Sequence, residues 1–199
     1  MDLFQIADSA FQQAKERAGE WISCSSGCDD CCRKPFAITA ADARLLQLGI
    51  QETGLTDITE KAESAWNVMK SDFPGDADSG VLDVNEEWRA WFFHRHQGLA
   101  CPVLDESTGA CRLYAYRPVC CRLYGPLIEI GGQVSDPCPL CFSGASEIEI
   151  QSAKITVDLP EAPAEIKETV IAFALSQQSA QFFQSDLHLP YDEVPEQPE

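Results

Sequence analysis

Basic side chains are scarce in this sequence: 14 Lys and Arg stand against 32 Asp and Glu, giving a formal net charge of -18 over 199 residues. That imbalance repels phosphate backbones and anionic lipid, so it argues against nucleic acid and anionic membrane as partners and for solubility. Long apolar runs are also missing. The stretch Thr169-Val-Ile-Ala-Phe-Ala-Leu175 gives way at once to Ser-Gln-Gln-Ser, far short of the roughly 18 apolar residues that a spanning helix needs. No P-loop, dinucleotide fingerprint or nucleophile elbow is present, so no familiar catalytic apparatus supports an enzyme reading. Met1-Asp2-Leu3-Phe4-Gln5 has no basic n-region, apolar h-region or small-residue cleavage site. A reducing, cytoplasmic setting is therefore expected.

Cysteine, by contrast, is abundant and clustered. All ten fall in three groups: Cys24-Ser-Ser-Gly-Cys28-Asp-Asp-Cys31-Cys32, then Cys101, Cys111, Cys120 and Cys121, then Cys138-Pro-Leu-Cys141. Sulfurs this close in sequence can converge on one ion or cluster, because thiolates are preferred ligands of zinc, Cu(I) and iron-sulfur centres. A disulfide framework is the competing reading, but a reducing compartment favours metal. Adjacent pairs such as Cys31-Cys32 are awkward staples in an extended chain, where neighbouring side chains point apart. A helical turn would bring them to one centre.

The spacing of apolar residues predicts a mainly α (α+β) fold. Residues 3 to about 22 read as an amphipathic helix, with Leu3, Ala7, Phe11, Ala14, Ala18 and Trp21 on one face and Gly19 near its end. Thr39 with Asp42 predicts an N-cap, followed by a helix to about Ile50 closed by Gly54. Thr56 opens another helix, with Ile58, Ala62, Ala65, Trp66 and Met69 inward. Residues 72–83 read as a surface loop. Asn85 to His96 read as a short helix on which His94 and His96 face different sides, so neither is favoured as a ligand. Cys101 to Tyr114 read as a hairpin around Asp105-Glu-Ser-Thr-Gly109, with Cys101 and Cys111 opposite each other if the pairing centres on Glu106. That geometry suits two ligands or a disulfide. Pro118 predicts a short helix carrying Cys120 and Cys121, beside which Arg117 and Arg122 could offset thiolate charge. Leu127–Val134 and Glu147–Ile150 alternate like strands, and Pro163 opens a helix burying Ile166, Val170, Phe173, Phe182 and Phe183.

Cys-x3-Cys-x2-Cys-Cys, the Thr-Gly-x-Cys-x-Leu-Tyr turn and Arg-Pro-x-x-Cys-Arg together resemble the YkgJ-type cysteine-cluster family, a zinc- or iron-chelating domain. The resemblance spans about Cys24 to Cys141. It implies Cys24, Cys28, Cys31, Cys32, Cys101, Cys111 and Cys121 as ligands, with Arg117, Pro118 and Arg122 framing them and Cys120 on a variable position. Cys138 and Cys141 fit as a further pair. Members labelled iron-sulfur oxidoreductases, and a flagellin lysine methylase with a similar cluster, imply as the alternative an iron-sulfur-dependent enzyme. The expectation is one metal-binding domain over residues 1–185, organised by a Cys-ligated centre of zinc or iron (or an iron-sulfur cluster) that joins the first cysteine group to Cys101–Cys141. An acidic, Pro-rich tail over 186–199 completes the chain.

Overall fold

Local signals decide most of the helices in the computed structural model, which describes residues 3–158 and 167–176. The helices are α1 (Leu3–Ala18), α2 (Ala40–Thr53), α3 (Asp57–Met69), α4 (Glu86–Arg95), α5 (Val119–Leu123), α6 (Glu147–Ser152) and α7 (Ile171–Ser176). Between them lie short strands: β1 (Ala37–Thr39), β2 (Gly75–Asp76), β3 (Val81–Leu82), β4 (Leu104–Asp105), β5 (Ala110–Cys111), β6 (Ile128–Ile130), β7 (Gln133–Val134), β8 (Ile155–Val157) and β9 (Glu168–Val170). The fold is mainly α with small sheets. Among the described residues no helix is long and apolar enough to cross a membrane.

The chain forms two units, and each is built from two separated stretches. The first comprises Met1–Cys28 with Val119–Ala164, the second Asp29–Pro118 with Glu165–Glu199. In the first unit, Ala7, Ala10 and Ala14 of α1 pack on Leu123, Ile128, Ile155 and Val157. Small residues at three- and four-residue spacing let the helix approach α5 and the sheet closely. That sheet has the order β7-β6-β8, with β6 antiparallel to β7 and parallel to β8. Arg122 is buried at 5% exposure and donates to Asp8 of α1 at 2.5 Å, with its guanidinium 5.0 Å from the Phe4 ring. An ion pair thus ties α5 to α1.

In the second unit, Thr39 accepts a hydrogen bond from the Asp42 amide while the Asp42 carboxylate accepts from the Thr39 amide, the reciprocal cap expected at the start of α2. Gly54 ends that helix in the left-handed region at φ 67°. The five residues expected to face inward on α3 are all buried. Trp66 meets Phe73 and Phe173 edge-on, at 5.0 and 5.1 Å between ring centroids, in a core that also holds Phe92 and Val170. His96 is packed beneath it, 4.8 Å from the Phe92 ring, and desolvation holds its pKa below the usual value.

Four expectations need correction. Glu147–Ile150 is helical because Ser146 and Glu149 form a second reciprocal cap, which the four-residue alternation conceals. Residues 72–83 contain a small antiparallel hairpin, β2 with β3, in which Leu82 joins the core. Val170 belongs to a strand rather than a helix, since Ala37–Thr39 lie alongside Glu168–Val170 and satisfy their backbone groups, a partnership too distant in sequence for periodicity to reveal. Pro163, Ile166, Phe182, Phe183 and the 186–199 tail lie outside the described residues. The fourth correction concerns a pair of cysteines: Cys111 faces Leu104, not Cys101. Asp105 pairs with Ala110 around a tight loop, and the Leu104 amide donates back to the Cys101 carbonyl at 2.9 Å, so Cys101 turns off the strand line.

Candidate metal centre

None of the ten cysteines is joined in a disulfide. The division of the chain sorts them, because the first group is cut between Cys28 and Asp29. Cys24, Cys28, Cys120, Cys121, Cys138 and Cys141 belong to the first unit, and Cys31, Cys32, Cys101 and Cys111 to the second.

In the first unit the distinct feature is a sulfur cluster set in apolar surroundings. Cys138 and Cys141 are buried at 4% and 5% exposure among Ala18, Ile22, Leu127, Phe142 and Ala153, with Cys24 packed against the same group. Backbone bonds build the cradle. The Cys141 amide donates to the Cys138 carbonyl at 2.8 Å, closing the Cys-Pro-Leu-Cys turn, and the Cys138 amide donates to the Gly125 carbonyl at 2.9 Å. Phe142 then takes a left-handed conformation, φ 58°, that lets its amide reach the Trp21 carbonyl at 2.8 Å. A non-glycine residue held there is strained, and strain of this kind gathers at functional sites. The Ser23 hydroxyl donates to the Leu140 carbonyl at 2.6 Å, fastening the other side of the turn.

Within that cradle Cys24 shares a proton with Cys141. The Cys24 thiol donates to the Cys141 sulfur, which also accepts from the Ser23 and Cys24 amides and the Cys138 thiol; together these outweigh burial and lower the Cys141 pKa to about 6. Cys24 moves the opposite way, held protonated by that hydrogen bond, by burial and by the charge of Cys141, Cys28 and Cys138. The four sulfurs are therefore close enough to feel one another. Gly125 makes room for them: at φ 127° a Cβ there would stand 2.7 Å from the Cys24 sulfur and 3.9 Å from that of Cys141. Gly125 was not singled out from the sequence, although Gly125-Pro126 is a turn signal. Among the described residues, no group of three or more His, Cys, Asp or Glu side chains is placed so that it could hold a metal ion. What the cluster offers a thiophilic ion is its chemistry: a thiol with a lowered pKa, three thiols within its electrostatic reach and apolar surroundings.

The second unit places Cys31 and Cys32 on a single 3-10 turn, Asp30–Arg33, with their sulfurs 4.0 Å apart. The turn does what an extended chain could not. The hydrogen bond to Cys32 and burial push the Cys31 thiol up. The Cys101 amide donates to the Cys32 carbonyl and the Gly98 amide to the Arg33 carbonyl, both at 2.7 Å, which lays the loop before β4 against this turn.

Both arginines expected beside the cysteines make contacts that hold them in place. Arg122 is engaged by Asp8. Arg117 donates from Nε to the Tyr114 carbonyl at 2.9 Å, and its guanidinium carbon lies 3.5 Å from the Tyr114 ring centroid. Cys120 and Cys121 sit on α5, both half-buried.

Residues 23–139 match the model of the CxxCxxCC family, described as a "putative zinc- or iron-chelating domain". No curated protein and no solved structure matches the chain.

Proposed function

The chain belongs to the CxxCxxCC family, and from that premise we propose that it chelates zinc or iron through cysteine thiolates, with Cys24, Cys28, Cys138 and Cys141 as one ligand set. The observation that carries the reading is the sulfur cluster of the first unit, where Cys141 is held as a thiolate near neutral pH beside three more sulfurs. Thiolate, rather than thiol, is the ligand form, and a group already deprotonated at pH 7 removes part of the cost of binding. A bound ion would take up the charge that now makes Cys24 hold its proton, and would lock the segment after α1 to the turn after β7. Four thiolates on a divalent ion leave a net charge near -2, which the amides of Ser23 and Cys24 partly offset through their bonds to Cys141.

Metal analysis of the full chain, purified under reducing, oxygen-free conditions without chelator, tests the proposal. Zinc or iron close to stoichiometric with chain is expected, and Cys24→Ser or Cys141→Ser should lower it. The absorbance spectrum separates the metals, since zinc thiolates are colourless whereas iron thiolates or an iron-sulfur cluster colour the protein. A chain that neither retains metal nor takes up added Zn(II) while its thiols are reduced would overturn the proposal.

A further inference from the structure

Cys31 and Cys32 take no part in the proposed chelate, whose four sulfurs are those of Cys24, Cys28, Cys138 and Cys141. We propose that this neighbouring pair is a redox-active dithiol, closed to a disulfide by hydrogen peroxide and reopened by thiols.

The two sulfurs stand 4.0 Å apart, although neighbouring side chains of an extended chain point to opposite sides. The 3-10 turn Asp30–Arg33 brings them together, and its backbone is fastened from both flanks. The Cys32 amide donates to the Asp29 carbonyl at 2.9 Å, while the Cys32 and Arg33 carbonyls accept the Cys101 and Gly98 amides, each at 2.7 Å. Side chains tie the turn as well, Arg33 to Asp29 at 2.7 Å and Lys34 to Asp30 at 2.5 Å. A disulfide needs its sulfurs about 2.05 Å apart. With the backbone so held, rotation about the two Cα–Cβ bonds is the motion that closes the remaining gap. Both residues are half-buried, so a small oxidant reaches them, whereas Cys138 and Cys141 are buried.

One thiolate of the pair attacks an oxygen of hydrogen peroxide and breaks the O–O bond. It becomes a sulfenic acid, and the other oxygen leaves as hydroxide, which takes up a proton to form water. The second thiol, giving up its proton, attacks the sulfenic sulfur, forms the S–S bond and expels the hydroxyl as a second water. Two thiols thus lose two electrons, and one peroxide is reduced to two waters. Because the resolving thiol belongs to the next residue, the sulfenic acid is captured without rearrangement of the fold. The closed form is also readily undone. Neighbouring Cα atoms lie about 3.80 Å apart across a trans peptide, short of the roughly 4.4–6.8 Å usual for a disulfide, so the bond is strained and easily reduced. Two molecules of a thiol reductant reopen it by exchange and end as their own disulfide. The formal charge of -18 disfavours anionic oxidants such as glutathione disulfide and does not hinder neutral peroxide.

Oxidation of the full chain, purified under reducing conditions and then freed of reductant, tests the inference. Graded hydrogen peroxide is followed by N-ethylmaleimide and by cleavage on the amino side of aspartate, which releases residues 30–41 with Cys31 and Cys32 as their only cysteines. That peptide is expected to lose two hydrogens and both maleimide labels at the lowest peroxide dose that alters any cysteine, and to regain both labels after dithiothreitol. In Cys32→Ser, Cys31 is expected to pass on to sulfinic acid, having lost its resolving thiol. Persistence of both labels in the native chain at every dose, sulfinic acid at Cys31 or Cys32 in place of the disulfide, or a bond from either to a third cysteine would overturn the inference. A dithiothreitol-reversible loss of the Cys31 label in Cys32→Ser would overturn it too, by showing that another thiol is the partner. The mapping of the native chain decides the matter even where the variant does not fold, and none of these outcomes bears on metal held by Cys24, Cys28, Cys138 and Cys141.

Discussion

At Gly125 a single hydrogen atom keeps the sulfur cradle open. Its φ of 127° is a conformation other residues rarely adopt, and the space a Cβ would need is taken by the Cys24 sulfur. Gly125→Ala should lower stability by about 1–3 kcal/mol through backbone strain alone and should weaken metal retention further by displacing Cys24. Urea melts of the metal-free and zinc-loaded variant measure the two effects, and a zinc-dependent gain in stability equal to that of the native chain would refute the second. Cys141 offers a pH test. Its pKa in the folded chain is lowered to about 6, whereas an unfolded cysteine titrates at about 8.5. A depressed folded pKa means stability that is fully present above the unfolded value and is lost as pH falls through the folded one. In the metal-free chain this contribution should therefore rise between about pH 6 and pH 8.5 and be absent below 6. Thiolate absorbance near 240 nm should show one group with a midpoint near 6 that disappears in Cys141→Ser, and a first midpoint above 8 in the native chain would contradict it.

Among the elements, those closed by their own residues were legible and those closed by a distant partner were not. α2 is signalled at both ends, by Thr39 with Asp42 and by Gly54, and α3 by five inward positions that are all buried. Thr39→Ala should cost about 1 kcal/mol, typical of a lost N-cap, read as a lower urea midpoint with an unchanged slope. No comparable change would mean that Asp42 and packing alone start the helix. α6 shows the limit: Glu-Ile-Glu-Ile alternates like a strand, and only the Ser146–Glu149 cap, two letters among polar neighbours, decides for helix. β9 could not be read at all, because its partner Ala37–Thr39 lies some 130 residues earlier. In the site the cysteines were legible as a class, since sulfur chemistry follows from residue type. Their sorting was not. The register that sets Cys111 opposite Leu104 depends on the bend at Cys101, and the closeness of Cys24 to Cys141 depends on Phe142 turning left-handed. Neither bend has a signature in residue spacing.

For the molecule as a whole, thiols occupy positions where larger apolar side chains would otherwise fill a core, so metal and stability should be linked. A ligand that binds only the folded chain stabilises it by mass action. Stripping the metal with a strong chelator under reducing conditions should lower Tm by about 10 °C or more, given roughly 2–4 °C per kcal/mol at this chain length. Re-addition of Zn(II) should restore it. An unchanged Tm after demonstrated metal removal would show that Cys138 and Cys141 act as ordinary core residues.

The interleaving of the two units also sets a timetable for synthesis. Cys24 leaves the ribosome more than a hundred residues ahead of Cys141, and at about 5–20 residues per second it waits at least several seconds for its partner. The second unit is likewise begun before the first is finished and ended after it, since its stretches enclose Val119–Ala164. On the proposed ligand set each nascent chain would carry an unfinished chelate, and neither unit can be made alone by cutting the gene at one place. A fusion or truncation placed at Cys28–Asp29 would divide the first unit and leave the second on one piece, whereas one placed at Pro118–Val119 would divide both units at once.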